Sequence, residues 1–177
     1  MTIIQDFNIL AIDSLSEMEE VLRRRYKNGN ITHIMGEGIS DCYIVEFSNM
    51  NLSIGICTSQ LKLRDECIIQ DTDGNIMIGF DQYLVWLRKD QNYAPQVLKD
   101  AFLVCFYTFL ELKDSQILAI FELSAIKTDF SGHVAWRIDF NDVVMDYRID
   151  NDEILSVTFM EGGEKEYNLE SGNQMIT

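Results

Sequence analysis

Beyond Asn30, the apolar residues of this chain gather in short runs, several of them alternating with polar residues at a period of two, separated by glycine, asparagine and aspartate. That period suits strands with two distinct faces, and those turn residues tolerate the positive φ of tight reversals. Before Ile31 the pattern is different. Ser14-Leu15-Ser16-Glu17 has the S-x-x-E form of a capping box, and Leu15, Met18, Leu22 and Tyr26 follow at helical spacing with Val21 beside them. Glu19 and Glu20 stand four residues ahead of Arg23 and Arg24, the favourable orientation for ion pairs along a helix. Arg23, Arg24, Arg25 and Lys27 complement the dipole at the far end, and Asn28-Gly29 supplies a stop. A helix near 14–28 is expected, behind a short first strand within 3–12.

Strands are expected at 31–35, 42–47, 52–57, 66–70, 75–80 and 83–87. Asp71-Thr72-Asp73-Gly74 reads as a hairpin turn. The stretch 92–111 is ambiguous. Pro95 could open a helix running to Cys105, but aromatic and β-leaning residues favour a loop or short turn, then a strand from about Phe102. Further strands are expected at 116–123, 134–140, 143–149, 154–160 and 164–169, the last four as a regular antiparallel meander, with a frayed tail from Glu170. No sequence repeat extends over several units. The expected class is α+β, predominantly antiparallel β in meanders or sandwich-like sheets, with one N-terminal helix. A single domain over 1–177 is expected, with a subdivision into 1–90 and 91–177 left open.

Charge bounds the partners. Lysine plus arginine number 14 against 29 aspartates and glutamates, a net charge of −15. Phosphate backbones and anionic membranes both need clustered cations, so direct nucleic-acid and membrane binding are disfavoured. A basic protein would be steered toward such a chain. Cys42, Cys57, Cys67 and Cys105 form no C-x-x-C pair and sit among apolar residues, which reads as free thiols in a reducing compartment. The first residues carry no basic-then-apolar stretch and no apolar run reaches about 18 residues, so the expected location is the cytoplasm.

Motifs for chemistry are lacking. His33 and His133 are the two histidines, and neither stands in a ligand or triad pattern. There is no G-x-S-x-G, no G-x-x-x-x-G-K and no G-x-G-x-x-G. Aligning Gly74 with the sixth position of an EF-hand loop puts Ile69 and Phe80 where oxygen ligands belong, so calcium is not expected there. No cofactor and no metal are expected. Paired carboxylates capable of hydrolysis would arise by chance among so many acids, and the sequence singles out none.

The acids are unevenly placed. From Asp139 to Glu170 there are ten acids against only Arg148 and Lys165, which is −8 of the total −15. Candidate partner-binding residues are Asp139, Asp142, Asp146, Asp150, Asp152, Glu153, Glu161 and Glu164, with Tyr147 as an aromatic anchor, and Asp71 and Asp73 on the earlier turn. Trp136 reads as core.

Ser131-Gly132-His133-Val134-Ala135-Trp136, Asp142-Val143-Val144-Met145-Asp146 and Tyr167-Asn168-Leu169-Glu170-Ser171-Gly172 resemble a meander found in small uncharacterised bacterial proteins. The chain as a whole resembles bacterial immunity proteins, including those that neutralise contact-dependent growth inhibition toxins. The meander also looks like one blade of a β-propeller, though the length excludes a full one. The immunity resemblance implies a non-enzymatic inhibitor that occludes the active site of a cognate basic toxin, such as a nuclease domain. The alternatives are a carboxylate-based hydrolase and an acidic regulator or adaptor that mimics nucleic acid.

Overall fold

The computed structural model describes residues 6–37, 40–59, 62–100 and 104–175. It has the expected α+β class: one α-helix and fifteen strands among these residues, in four largely antiparallel sheets. Among them no helix is long and apolar enough to cross a membrane.

The first sheet holds β1 (Asn8–Ile12), β2 (Ile31–Met35), β3 (Asp41–Phe47) and β4 (Leu52–Thr58) in the order β1-β3-β4-β2. The second runs β5 (Ile68–Gln70), β6 (Ile76–Phe80), β7 (Tyr83–Leu87), β8 (Pro95–Lys99). The third comprises β9 (Phe106–Glu111), β10 (Gln116–Phe121), β11 (Ser124–Asp129) and β12 (Val134–Asp139). The fourth is β13 (Val144–Asp150), β14 (Ile154–Phe159) and β15 (Glu164–Asn168). Helix α1 (Leu15–Lys27) starts where the capping box places it, with the Ser14 hydroxyl accepting from the Glu17 N–H at 3.2 Å.

Side-chain alternation orders the sheets as layers. In β3 and β4, Cys42, Ile44 and Cys57 pack under Met18 and Leu22 of α1, while Tyr43, Val45, Ile54 and Ile56 enter the main core with the second sheet. In β10, Ile117, Ala119 and Phe121 belong to that main core. Leu118 and Ile120 belong to another, shared with Leu155, Val157, Phe159 and Tyr167 of the fourth sheet. The result is a stack of helix, sheet, sheet, sheet and sheet. The inner strands β6 and β7 are buried at every position, which is why their sequences IMIGF and YLVWL lose polar alternation. Two glycines let layers close. A Cβ at Gly79 would stand 2.3 Å from the Phe106 ring, and one at Gly55 would stand 2.8 Å from Leu22 and Met18.

The structure departs from the sequence reading in several places. β2 pairs parallel to β4, not as part of an antiparallel meander, because α1 carries the chain across the sheet face and returns it in the direction of β1. β8 occupies part of the stretch expected to be loop or short turn. It is an exposed edge strand, held by its ladder to β7, and Pro95 sits at its first position, where a missing donor costs least. β9 begins at Phe106. The expected strand start near Phe102, and residues 3–5 of the expected first strand, lie outside the described residues. β11 has no counterpart in the sequence reading: Ser124, Lys127 and Thr128 look like a connection, yet all are buried between layers.

A recurrence also emerges that residue identities hide. At the β5–β6 turn, Asp71 Oδ1 accepts from Asp73 N at 3.0 Å and Asn75 N at 2.8 Å. At the β11–β12 turn, Asp129 Oδ1 accepts from Ser131 N at 2.8 Å and His133 N at 3.2 Å. After β15, Asn168 Oδ1 accepts from Glu170 N at 3.0 Å and Ser171 N at 2.9 Å. A glycine at positive φ closes each turn: Gly74, Gly132 and Gly172. The tail expected to fray instead folds back, with Tyr167 bridging Gln174 and Met175 N donating to Glu166 O at 2.8 Å. Both tryptophans fasten one layer to the turn of the next. Trp86 Nε1 donates to Asp129 O at 3.1 Å, and Trp136 Nε1 to Leu169 O at 3.0 Å.

Candidate protein-docking surface

The fourth sheet ends the stack. Its inward face carries Tyr147, Ile149, Leu155, Val157, Phe159 and Tyr167, packed on the third sheet. Register fixes the other face: Asp146 lies opposite Thr158, which lies opposite Glu164; Arg148 opposite Ser156, opposite Glu166; Asp150 opposite Ile154. That outer face therefore presents four carboxylates to one guanidinium.

Arg148 organises its centre. Its Nε reaches Asp150 Oδ2 at 3.0 Å and its Nη2 reaches Glu164 Oε1 at 2.5 Å. Although desolvation pulls the other way, Asp150 and Glu164 hold the guanidinium pKa above its ordinary value. Asp150 Oδ2 also accepts from the Ser156 hydroxyl at 2.9 Å. Asp146 accepts from the Tyr147 N–H at 2.8 Å, and neither it nor Glu166 has a basic partner among the described residues.

The other candidates named from the sequence divide by place. Asp139 pairs with Arg137 at 2.6 Å, and Arg137 also holds Asp100 at 2.7 Å. Asp142 is structural: Oδ1 accepts from Val143 N at 2.7 Å and Oδ2 from Glu161 N at 2.9 Å, tying the entry of β13 to the β14–β15 turn. Glu161 is exposed at that turn. Asp152 and Glu153 lie at the opposite end of the sheet, where Asp152 pairs with Lys113 at 3.3 Å. They line a groove of about 620 Å³ together with Asp114, Glu170, the half-buried Leu112 and the exposed Ala135. Lys127, only 9% exposed, donates to Leu169 O at 2.9 Å in the same groove and fastens the Asn168 turn to β11. Tyr147 is half-buried on the inward face and packs against the core. Asp71 and Asp73 are two layers away. Asp71 is buried, its carboxylate committed to its own turn.

Glu166 and Glu170 fall within the acidic run counted from the sequence but outside the candidates named there, and Asp114 lies outside both. The period of two was the available signal: Asp146, Arg148 and Asp150 alternate along β13, and Glu164 and Glu166 along β15.

His33 is held below its ordinary value, chiefly by desolvation, and its Nε2 has no partner among the described residues. Cys42 and Cys57 face one another across β3 and β4 with sulfurs 4.0 Å apart, and burial pushes the Cys57 thiol up to about 11. All four cysteines are free thiols. Among the described residues no group of three or more His, Cys, Asp or Glu side chains is placed to hold a metal ion.

No protein-family model matches this chain, and no curated protein is significantly similar to it.

Proposed function

We propose that this protein is a non-enzymatic binder that neutralises a basic protein partner, of the kind a toxin's nuclease domain provides, through the outer face and ends of its fourth sheet. The observation that carries this reading is the open outer face of β13–β15. Among the described residues no layer covers it, and Asp146, Glu153, Glu161, Glu166 and Glu170 have no basic partner. Lysines and arginines that grip a phosphate backbone would find carboxylates here, and their aliphatic stems would find Leu112 and Ala135 in the groove. Occupying those cations blocks the nucleic acid without any reaction. The resemblance to immunity proteins supports the same reading, and a cytoplasmic site of action is part of the proposal.

The test is capture from native lysate at low and high salt, followed by a nuclease assay on the basic protein recovered. The expected outcome is stoichiometric inhibition by the wild-type chain, relieved in a variant carrying Asp146→Asn, Glu153→Gln, Glu161→Gln and Glu166→Gln. Inhibition that this quadruple variant retains in full would overturn the assignment of the surface.

A further inference from the structure

At the Asp142 end of the fourth sheet the acids surround an apolar pair. The β13–β14 ladder sets Val144 opposite Phe159 and then Asp146 opposite Thr158, so Met145 is the extra residue of a β-bulge. Met160 follows Phe159, and its N–H donates to Val143 O at 2.9 Å. Met145 thus lies on β13 and Met160 just past the end of β14, to either side of the Val144–Phe159 pair, and each is 61% exposed. The corner that presents them is fixed, because Asp142 binds the backbone N–H groups of Val143 and Glu161. Asp146 and Glu161 are exposed beside them.

Bulges disrupt a ladder and commonly re-aim a side chain. Here the bulge leaves a long thioether exposed, diagonal in the register to a second exposed one across the Val144–Phe159 pair. Methionine is flexible and polarizable, and it recurs on surfaces that accept apolar side chains of varied shape. Carboxylates alone would suit any cation. Two exposed thioethers among carboxylates suit a segment that carries both apolar and basic side chains.

We infer that this corner anchors a basic amphipathic segment of the protein partner. Its apolar side chain packs on Met145 and Met160, while its lysines or arginines meet Asp146 and Glu161. The inference rests on the binder reading above and names which segment of the partner the surface takes.

Two synthetic peptides of equal length and charge test it by fluorescence anisotropy: one alternates leucine and lysine in amphipathic register, the other replaces each leucine by serine. The expected result is tighter binding of the leucine peptide to the wild-type chain. Met145→Ser with Met160→Ser should weaken that peptide roughly tenfold and leave the serine peptide unchanged. Asp146→Asn with Glu161→Gln should weaken both and flatten their salt dependence. Equal binding of the two peptides to wild type, or a double methionine variant that binds as wild type does, overturns this inference and leaves the binder reading standing. Failure of both peptides to bind wild type sinks the inference and the acidic-surface reading together. Thermal melting of the methionine variant should match wild type; a lowered midpoint would assign the pair to packing and overturn the inference too.

Discussion

The first and last sheets face the same problem, since each has only one neighbouring sheet, and they solve it differently. The first keeps apolar residues on its outer face and covers them with α1, whose Met18 and Leu22 are buried on Cys42, Ile44 and Cys57. The last places Asp146, Arg148, Asp150, Glu164 and Glu166 on its outer face and has no cover among the described residues. A covered face contributes stability and is closed to partners. A charged face contributes little stability and stays available. The helix end should therefore be sensitive to truncation and the acidic end tolerant of it.

Breaking the helix end gives the largest effect. Met18→Ala or Leu22→Ala should cost about 2–5 kcal/mol in urea unfolding, because each leaves a cavity between α1 and the sheet. Filling the space between layers should be nearly as damaging inside the stack. Gly79→Ala forces a methyl into the buried Phe106 ring and should cost about 1–3 kcal/mol. Gly55→Ala should cost less, since the ends of Leu22 and Met18 can shift aside. Comparing their denaturation midpoints would show whether the helix layer yields more readily than the inner sheets.

A smaller effect is expected where the acidic end is fastened. Trp136→Phe removes one of two donors to Leu169 O and should cost about 0.5–1.5 kcal/mol, with Lys127 keeping that carbonyl satisfied. His33 tests the helix-side sheet by pH. Its folded pKa lies below the ordinary 6.5, so below that pH the unfolded chain binds a proton that the folded chain resists. Stability should then fall as pH drops from 6.5 toward the folded value, and His33→Gln should flatten that limb of the profile. The smallest stability change belongs to the open face: Asp146→Asn with Glu166→Gln should stay within about 0.5 kcal/mol of wild type. A large loss there would break the contrast between the two ends.

Much of this contrast is legible in the chain itself. The capping box and the Met18–Leu22 spacing place α1, and alternation along β13 places Asp146, Arg148 and Asp150 on one face. What escapes is set by pairing across long sequence separations. β8 carries no alternation of its own and exists through β7. Lys127 looks like a surface residue until Leu169, 42 positions later, supplies its acceptor. The three Asx turns each rest on one side-chain oxygen and a closing glycine: Asp71 and Asp129 accept from the second and fourth N–H groups after them, Asn168 from the second and third. The acids of the groove come from the β9–β10 and β13–β14 turns and the segment after β15, which no local pattern brings together.

The indole-to-carbonyl bonds have an optical consequence. Each of the two tryptophans sits at one joint between consecutive sheets, Trp86 at the second and third, Trp136 at the third and fourth. With Trp136→Phe the remaining emission reports the inner joint, and with Trp86→Phe it reports the outer one. Intrinsic fluorescence can therefore time the loosening of the acidic layer separately from the rest of the stack, without an added label.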